Sequence, residues 1–225
     1  MISVIIPALN EAKALPGTLD KLFRQRGDFE VILVDGGSDD ATLSIARADS
    51  RVLAISAARG RALQMNAGAA RARGDLLLFL HADTRLPDDS LMFLEEAVAQ
   101  EGAQFGGFGQ QFSGMHRGLR LISRLHNWRC RRTGVFYGDQ AVFVSRALFR
   151  TAGGFPEWGM LEDVGLSEKL LQHTESFLVN RYVITDSRKF EQMGVWRSLL
   201  RCALIMACHE LHLPIIGRRF FQAVR

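Results

Sequence analysis

The sequence predicts an α/β fold whose mostly parallel sheet is covered by helices on both faces, and three observations predict it. Apolar runs of strand length alternate with amphipathic segments of helix length through the N-terminal part of the chain, as successive βαβ units require. Strand interiors such as Leu76-Leu77-Leu78-Phe79-Leu80 are continuously apolar, the signature of burial on both faces. Three of the runs end on polar residues, which gathers chemistry at the carboxyl edge of the sheet, where open α/β sheets bind ligands.

The first strand, Ile2–Ile6, closes on Pro7, which cannot donate to a sheet ladder and is expected to end pairing. A helix over about Ala12–Arg26 follows. In the second strand, Val31–Val34, Asp35 stands where the chain emerges, and Gly36 and Gly37 let the backbone turn beside it. A helix near Ala41–Arg47, a short strand at Val52–Ile55, a helix over Arg61–Arg73 and a strand at Leu76–Leu80 complete the alternation. Beyond about residue 100 the pattern changes. Gly102–Gly109 interleaves four glycines with Phe105 and Phe108 and predicts a mixed or antiparallel strand region. It is no dinucleotide fingerprint, because the strand–GxGxxG–helix context is missing. A basic helix at His116–Arg132, a strand at Gln140–Val144, helices at Ser145–Thr151 and Glu162–His173, a strand at Phe177–Ile184 and an amphipathic helical tail from about Val195 follow. Repeats, low-complexity tracts and linkers are absent from the sequence, so residues 1–225 read as one domain.

At 225 residues, 48% hydrophobic and 23% charged, the composition is that of an ordinary globular protein. The net charge of +4 comes mostly from arginine, which forks well onto phosphate, yet it is small and no nucleic-acid motif accompanies it, so a nucleic-acid partner is excluded. Cys130, Cys202 and Cys208 lack metal-like spacing and fit a reducing compartment. Met1 leads straight into a strand, and no run approaches the roughly 18 apolar residues of a membrane span. The expected location is cytoplasmic, with peripheral membrane contact open.

At the first strand tip, Asn10 and Glu11 suit either a helix cap or a ligand contact. Asp35 is placed to accept from a pyrimidine N–H or a ribose hydroxyl, with Asp39 or Asp40 capping the next helix. His81 and Asp83, two apart, point to one side of the third tip; Asp83 reads as a ligand for a hard divalent cation or as a turn acid before Pro87. Arg61 near a helix start opposes the helix dipole and so answers to a phosphate or a nearby acid. Glu162 and Asp163 open another helix, as favourable N-terminal charges or as a general base. Arg117, Arg120 and Arg124 share one helical face, and Trp196, Leu199, Leu200, Leu204 and Ile205 alternate with Arg197 and Arg201 before Arg218-Arg219. The arginine face suits solvent, an anionic acceptor or a phospholipid surface, and the tail suits core packing, dimerisation or a membrane interface.

Taken in order, Val4–Glu11, Ile32–Thr42, Gly60–Gly68, Phe79–Thr84, Gly138–Ala141 and Leu161–Asp163 resemble glycosyltransferase family 2, the inverting sugar-nucleotide transferases of the GT-A fold. The short length and the Gly138-Asp139-Gln140 and Thr185–Arg188 segments look most like a small bacterial subgroup. The resemblance implies a GT-A-like sheet with a nucleotide-binding part to about residue 100, an acceptor part to about 190 and a helical tail. It implies that Pro7, Ala8, Asn10, Glu11, Asp35 and Gly37 hold nucleobase and ribose, with Arg61, Gln64 and His81 near the nucleotide. Asp83 matches the metal-binding acid of the DxD motif, implying Mg²⁺ or Mn²⁺; His81 replaces the motif's first acid. Asp163 matches the catalytic base, with Glu162 beside it, and Gly138, Asp139 and Gln140 line the acceptor or donor-sugar side. A UDP-sugar is the implied donor. A non-catalytic sugar-nucleotide binder of this fold and a polyprenyl-phosphate-directed transferase at the membrane surface are the alternatives.

Overall fold

The computed structural model describes residues 1–211. Four parallel strands, β1 (Ile2–Ala8), β2 (Phe29–Asp35), β3 (Val52–Ser56) and β4 (Leu76–Phe79), lie in the order β3-β2-β1-β4. Every residue of β1 and β4 is buried; β4 is apolar throughout, and the one polar side chain of β1, Ser3, donates to Glu30. Pairing does not stop at Pro7: β1 runs on to Ala8, opposite Asp35. The Ile5 carbonyl accepts from Leu80 on the β4 side and the Ala8 carbonyl from Gly36 on the β2 side. Strand alternation therefore turns the missing donor of Pro7 towards β4, whose ladder has already ended at Ile5 opposite Phe79.

Helix α1 (Leu15–Phe23) starts later than its apolar pattern suggests, with Pro16 in its first turn, a position that Pro favours. Helices α2 (Thr42–Ala48) and α3 (Arg61–Arg71) follow β2 and β3. Next come α4 (Ser90–Glu101) and the two-residue β5 (Thr84–Arg85) that precedes it, then β6 (Phe105–Phe112) and α5 (Arg117–Thr133). A 3-10 turn at Gly138–Gln140 leads to β7 (Val142–Ser145), α6 (Arg146–Thr151), α7 (Glu162–Leu171), β8 (Phe177–Thr185), α8 (Arg188–Met193) and α9 (Val195–Glu210). The eight strands form one sheet, continued beyond β4 as β7-β6-β8-β5. Here β7 is antiparallel to β4 and β6, β8 is parallel to β6, and β5 is antiparallel to β8.

Alternation along β1 divides the core between the two faces of this sheet. Ile2, Val4 and Ile6 pack with Leu15, Leu19 and Leu22 of α1 and Leu91 and Leu94 of α4. Ile5 turns the other way, towards Met65 and Ala69 of α3, Phe149 of α6, Phe155, and Leu166 of α7. A smaller cluster of Leu119, Ile122 and Val195 joins α5 to α9. The glycines of β6 serve close pairing: a Cβ on Gly106 would lie 1.9 Å from the Phe177 carbonyl oxygen in β8.

Three differences from expectation stand out. Gln140 lies in the 3-10 turn and not in a strand, and Ala141 takes φ +47° before β7 begins. Helix α4 has no counterpart among the expected elements, although Leu91, Leu94 and Ala97 recur at helical spacing on its buried side, because Pro87 and its neighbouring acids have the composition of a turn. Helix α8 has no buried residue and hence no apolar periodicity to read. The Arg218-Arg219 pair of the expected tail lies outside the described residues.

Candidate active site

Because β1 and β4 are neighbours, their tips open side by side onto a cleft of about 610 Å³, with the β2 tip beside them. Its walls include Pro7, Ala8, Leu9 and Glu11, then Arg59, Gly60, Arg61 and Gln64 around the start of α3, then His81, Ala82 and Asp83, with Gly159 and Lys189. Gln64 is buried, and its amide nitrogen donates to the carbonyls of Ala8 and Val34, both at 2.8 Å, stapling the ends of β1 and β2.

Three expected nucleotide contacts turn out to build the rim. The buried Asp35 carboxylate accepts from Gly37 N at 2.9 Å, Ser38 N at 3.1 Å and Ser38 Oγ at 2.5 Å, and so orders its own turn. Asn10, at φ +56°, donates its backbone N–H to Ser38 Oγ and accepts from Asp39 N, both at 2.9 Å. Gly37 takes φ +88° in the same turn. Asp35, Asn10 and Gly37 are absent from the cleft lining. Neither Asn10 nor Glu11 caps α1, which has no side-chain cap. Asp40 does organise the start of α2, accepting from Thr42 N at 2.9 Å and from Ala12 N at 3.1 Å.

A second group of side chains meets this edge from α7 and the 3-10 turn. Arg61 Nε lies 2.6 Å from Glu162 Oε1, so the arginine answers to an acid. Burial works against its charge, but the Glu162, Asp163 and Asp139 carboxylates outweigh that and raise its pKa. Asp163 Oδ2 accepts from Gly138 N at 2.5 Å and Oδ1 from Val164 N at 2.9 Å. Glycine is needed at 138, where a Cβ would lie 2.6 Å from His81 Nε2 and 3.4 Å from Asp163 Oδ2. His81 and Asp163, far apart in sequence, thus both approach Gly138, Asp163 at its amide and His81 on the side a Cβ would occupy. Leu161, at φ +59°, sets the entry to α7; like Asn10 and Ala141 it is a non-glycine residue held left-handed beside the site.

Burial and the adjoining Glu162 charge raise the pKa of Asp163, opposed by Arg61 and the two backbone donors. Asp139 is pushed up to about 7 by burial and by the Asp163 and Asp83 charges, with Arg61 and Arg129 opposing. His126 Nε2 lies 3.9 Å from Asp139 Oδ1, and burial, then Arg129, lowers its pKa to about 3, so it is neutral. Gln140 is spent on the wall: its amide nitrogen donates to the Phe108 carbonyl and its amide oxygen accepts from Tyr137 N, both at 3.0 Å.

Sequence reading missed Arg59, His126, Arg188 and Lys189. For the last two, a basic pair directly after the final strand was the available signal. Arg188 Nη2 and Lys189 Nζ each lie 2.7 Å from a different oxygen of Glu11, and Lys189 Nζ is 3.5 Å from Asp83 Oδ2. As a metal centre this set fits poorly. Asp83 faces an ammonium, its neighbour His81 lacks fixed charge, and among the described residues no three His, Cys, Asp or Glu side chains group so as to hold a metal ion.

Because the folded state holds the Asp139 proton up to about pH 7, ionising it costs stability progressively above its unfolded pKa of about 3.9. Asp139→Asn is therefore expected to stabilise the protein at pH 8 by a few kcal/mol (order of magnitude) and to change little below about pH 4. Urea unfolding at both pH values checks this; a pH-independent difference contradicts it.

Residues 3–147 match the family described as Glycosyl transferase family 2. A PGL/p-HBAD biosynthesis glycosyltransferase of Mycobacterium bovis is 35% identical over 213 residues, covering 86% of this chain and 78% of that protein. Among solved structures, residues 1–349 of S. aureus TarS in complex with UDP-GlcNAc superpose with a TM-score of 0.66 at 19% identity, covering 82% of this chain and 58% of that one. Mannosyltransferase PcManGT from Pyrobaculum calidifontis, in complex with GDP-Man and Mn²⁺, gives 0.63 at 21% identity, over 81% of this chain and 56% of that one. The chain thus spans somewhat over half the length of these solved neighbours, which share its GT-A architecture. With the family match covering most of the sequence and the mycobacterial relative matching nearly end to end, the chain belongs to glycosyl transferase family 2.

Proposed function

We propose that this glycosyltransferase moves a sugar from a nucleoside diphosphate donor, a UDP-sugar by analogy with TarS, to an acceptor hydroxyl with inversion. The observation that carries the reading is the meeting of Asp163, His81 and Gly138 at the edge of a cleft walled by the tips of β1 and β4. The nucleoside lies along Pro7–Leu9 and the rim built by Asn10, Asp35 and Gly37. Asp163, whose raised pKa makes it a better proton acceptor than a free carboxylate, takes the acceptor proton. The acceptor oxygen bonds to the anomeric carbon as the bond from that carbon to the diphosphate breaks on the opposite face. Glu162, held by Arg61, positions the start of α7 and hence Asp163. Gly138 N steadies the base, and Asp139 and the neutral His126 border the acceptor side. The Mg²⁺ or Mn²⁺ expected on Asp83 enters no step, because that carboxylate faces Lys189. Asp163→Asn is expected to lower transfer by roughly 10²–10⁴-fold while nucleotide binding survives. Turnover assays with the variant decide, and normal turnover removes the base role.

For the acceptor, a membrane-borne molecule is favoured by one surface. Leu121, Leu125 and Trp128 of α5 and Trp196, Leu200 and Leu204 of α9 are exposed at helical spacing on packed neighbouring helices. Exposed arginines, among them Arg117, Arg120, Arg124, Arg197 and Arg201, accompany these stripes. Apolar stripes with guanidinium flanks match the interface of an anionic bilayer. Helix α5 also carries His126 beside Asp139, and burial and the Asp139 charge raise Cys202 of α9 to about 11, so the face adjoins the acceptor side. Among the described residues no helix is long and apolar enough to cross a membrane. The protein is expected to float with vesicles containing phosphatidylglycerol, and Trp128→Ser/Leu200→Ser to abolish flotation. Wild-type protein that stays unbound contradicts membrane docking.

A further inference from the structure

We propose that Lys189, supported by Arg188, is the fixed cation that neutralises the departing diphosphate, in the place where a divalent metal would otherwise lie. The proposal rests on the nucleotide-sugar reading above. Lys189 Nζ lines the cleft, 2.7 Å from Glu11 Oε1 and 3.5 Å from Asp83 Oδ2. Arg188 Nη2 holds the other Glu11 oxygen at 2.7 Å, and its Nε lies 3.7 Å from Asp186 Oδ2. This geometry is set by the sheet. β5 pairs with the end of β8, and Asp186 N donates to the Asp83 carbonyl at 3.0 Å, so the chain leaving β8 is stitched to the third strand tip. Helix α8 starts there; Phe190 packs on Phe112 beside the α5–α9 cluster, while the ion pairs of Arg188 and Lys189 tie its first turn to Glu11 at the cleft.

A simple stability role explains this poorly. Ion pairs between partly exposed long side chains contribute little, whereas Lys189 lines the binding cleft and Arg188 pairs with Glu11 of its wall. A metal bound to Asp83 would meet the ammonium's like charge, and the nearby Glu11 carboxylate is already paired with Lys189 and Arg188. Lysine is a compact point charge with three donors, so it can keep Glu11 and still donate to a phosphate oxygen. As the anomeric bond breaks and its electron pair passes to the diphosphate oxygen, that charge develops beside a preorganised ammonium. The leaving group departs as the diphosphate, and the ammonium gives up no proton.

Calorimetric titration of the full chain with UDP, in EDTA and in Mn²⁺, tests the assignment, with uridine as a probe lacking phosphate. Wild-type affinity for UDP is expected to be the same in both conditions. Lys189→Gln is expected to lose about tenfold or more in UDP affinity, with no rescue by Mn²⁺. Lys189→Arg should retain most of the affinity, and uridine binding by Lys189→Gln should match wild type, showing an intact site. UDP binding that needs Mn²⁺, or that Lys189→Gln leaves unchanged or tightens, overturns the proposal while preserving the nucleotide reading. Wild-type protein that binds no nucleoside diphosphate in either condition overturns both.

Discussion

The buried contact between Arg61 and Glu162 joins two parts of the chain that have to act together, the strand edge that walls the cleft and the helix that carries Asp163. Arg61 opens α3, whose Gln64 staples β1 to β2; Glu162 opens α7, one residue before Asp163. Removing Arg61 strands the buried Glu162 carboxylate, a loss of about 3–5 kcal/mol where such pairs have been broken, whereas Arg61, itself 31% exposed, loses less when Glu162 is removed. That energy fixes the spacing between cleft and base, so the pair acts on chemistry through position.

Around it lies an uneven electrostatic balance. Asp83, Asp139, Glu162 and Asp163 crowd one region against Arg61, Arg129 and Lys189. Burial and mutual repulsion push Asp139 up to about 7 and raise Asp163, while the arginines keep the cluster from neutralising altogether. An acid poised in this way suits proton abstraction near neutral pH, and its cost in stability is borne by the rest of the sheet. Left-handed Asn10, Ala141 and Leu161 are further local concessions, each in a segment that shapes the site.

Much of this was legible beforehand, for physical reasons. Burial on both faces leaves parallel strands with mostly apolar interiors, so β1, β2 and β4 stood out, and a polar tip after such a run has only the carboxyl edge to occupy. His81, Asp83, Gly138 and Asp163 could be named on that logic together with the family resemblance. Whether a tip acid serves a ligand or its own loop could not be read, since an aspartate satisfied by Gly37 and Ser38 has the same spelling as one that waits for a ribose. Gln64 lines the cleft as expected of a residue near the nucleotide, and its amide nitrogen also bridges two strand ends, which no local pattern foretells. For Lys189 the basic pair after the final strand was a local signal, but which residues it faces is set by the β5–β8 pairing, a long-range event.

The central claim is that one cleft at the β1–β4 edge receives the nucleotide. Amide hydrogen exchange of the full chain, with and without saturating UDP, tests it most directly. Slowed exchange is expected at Leu9–Glu11 and His81–Asp83, together with the Gly138 amide. Protection confined to segments away from that edge would contradict the account.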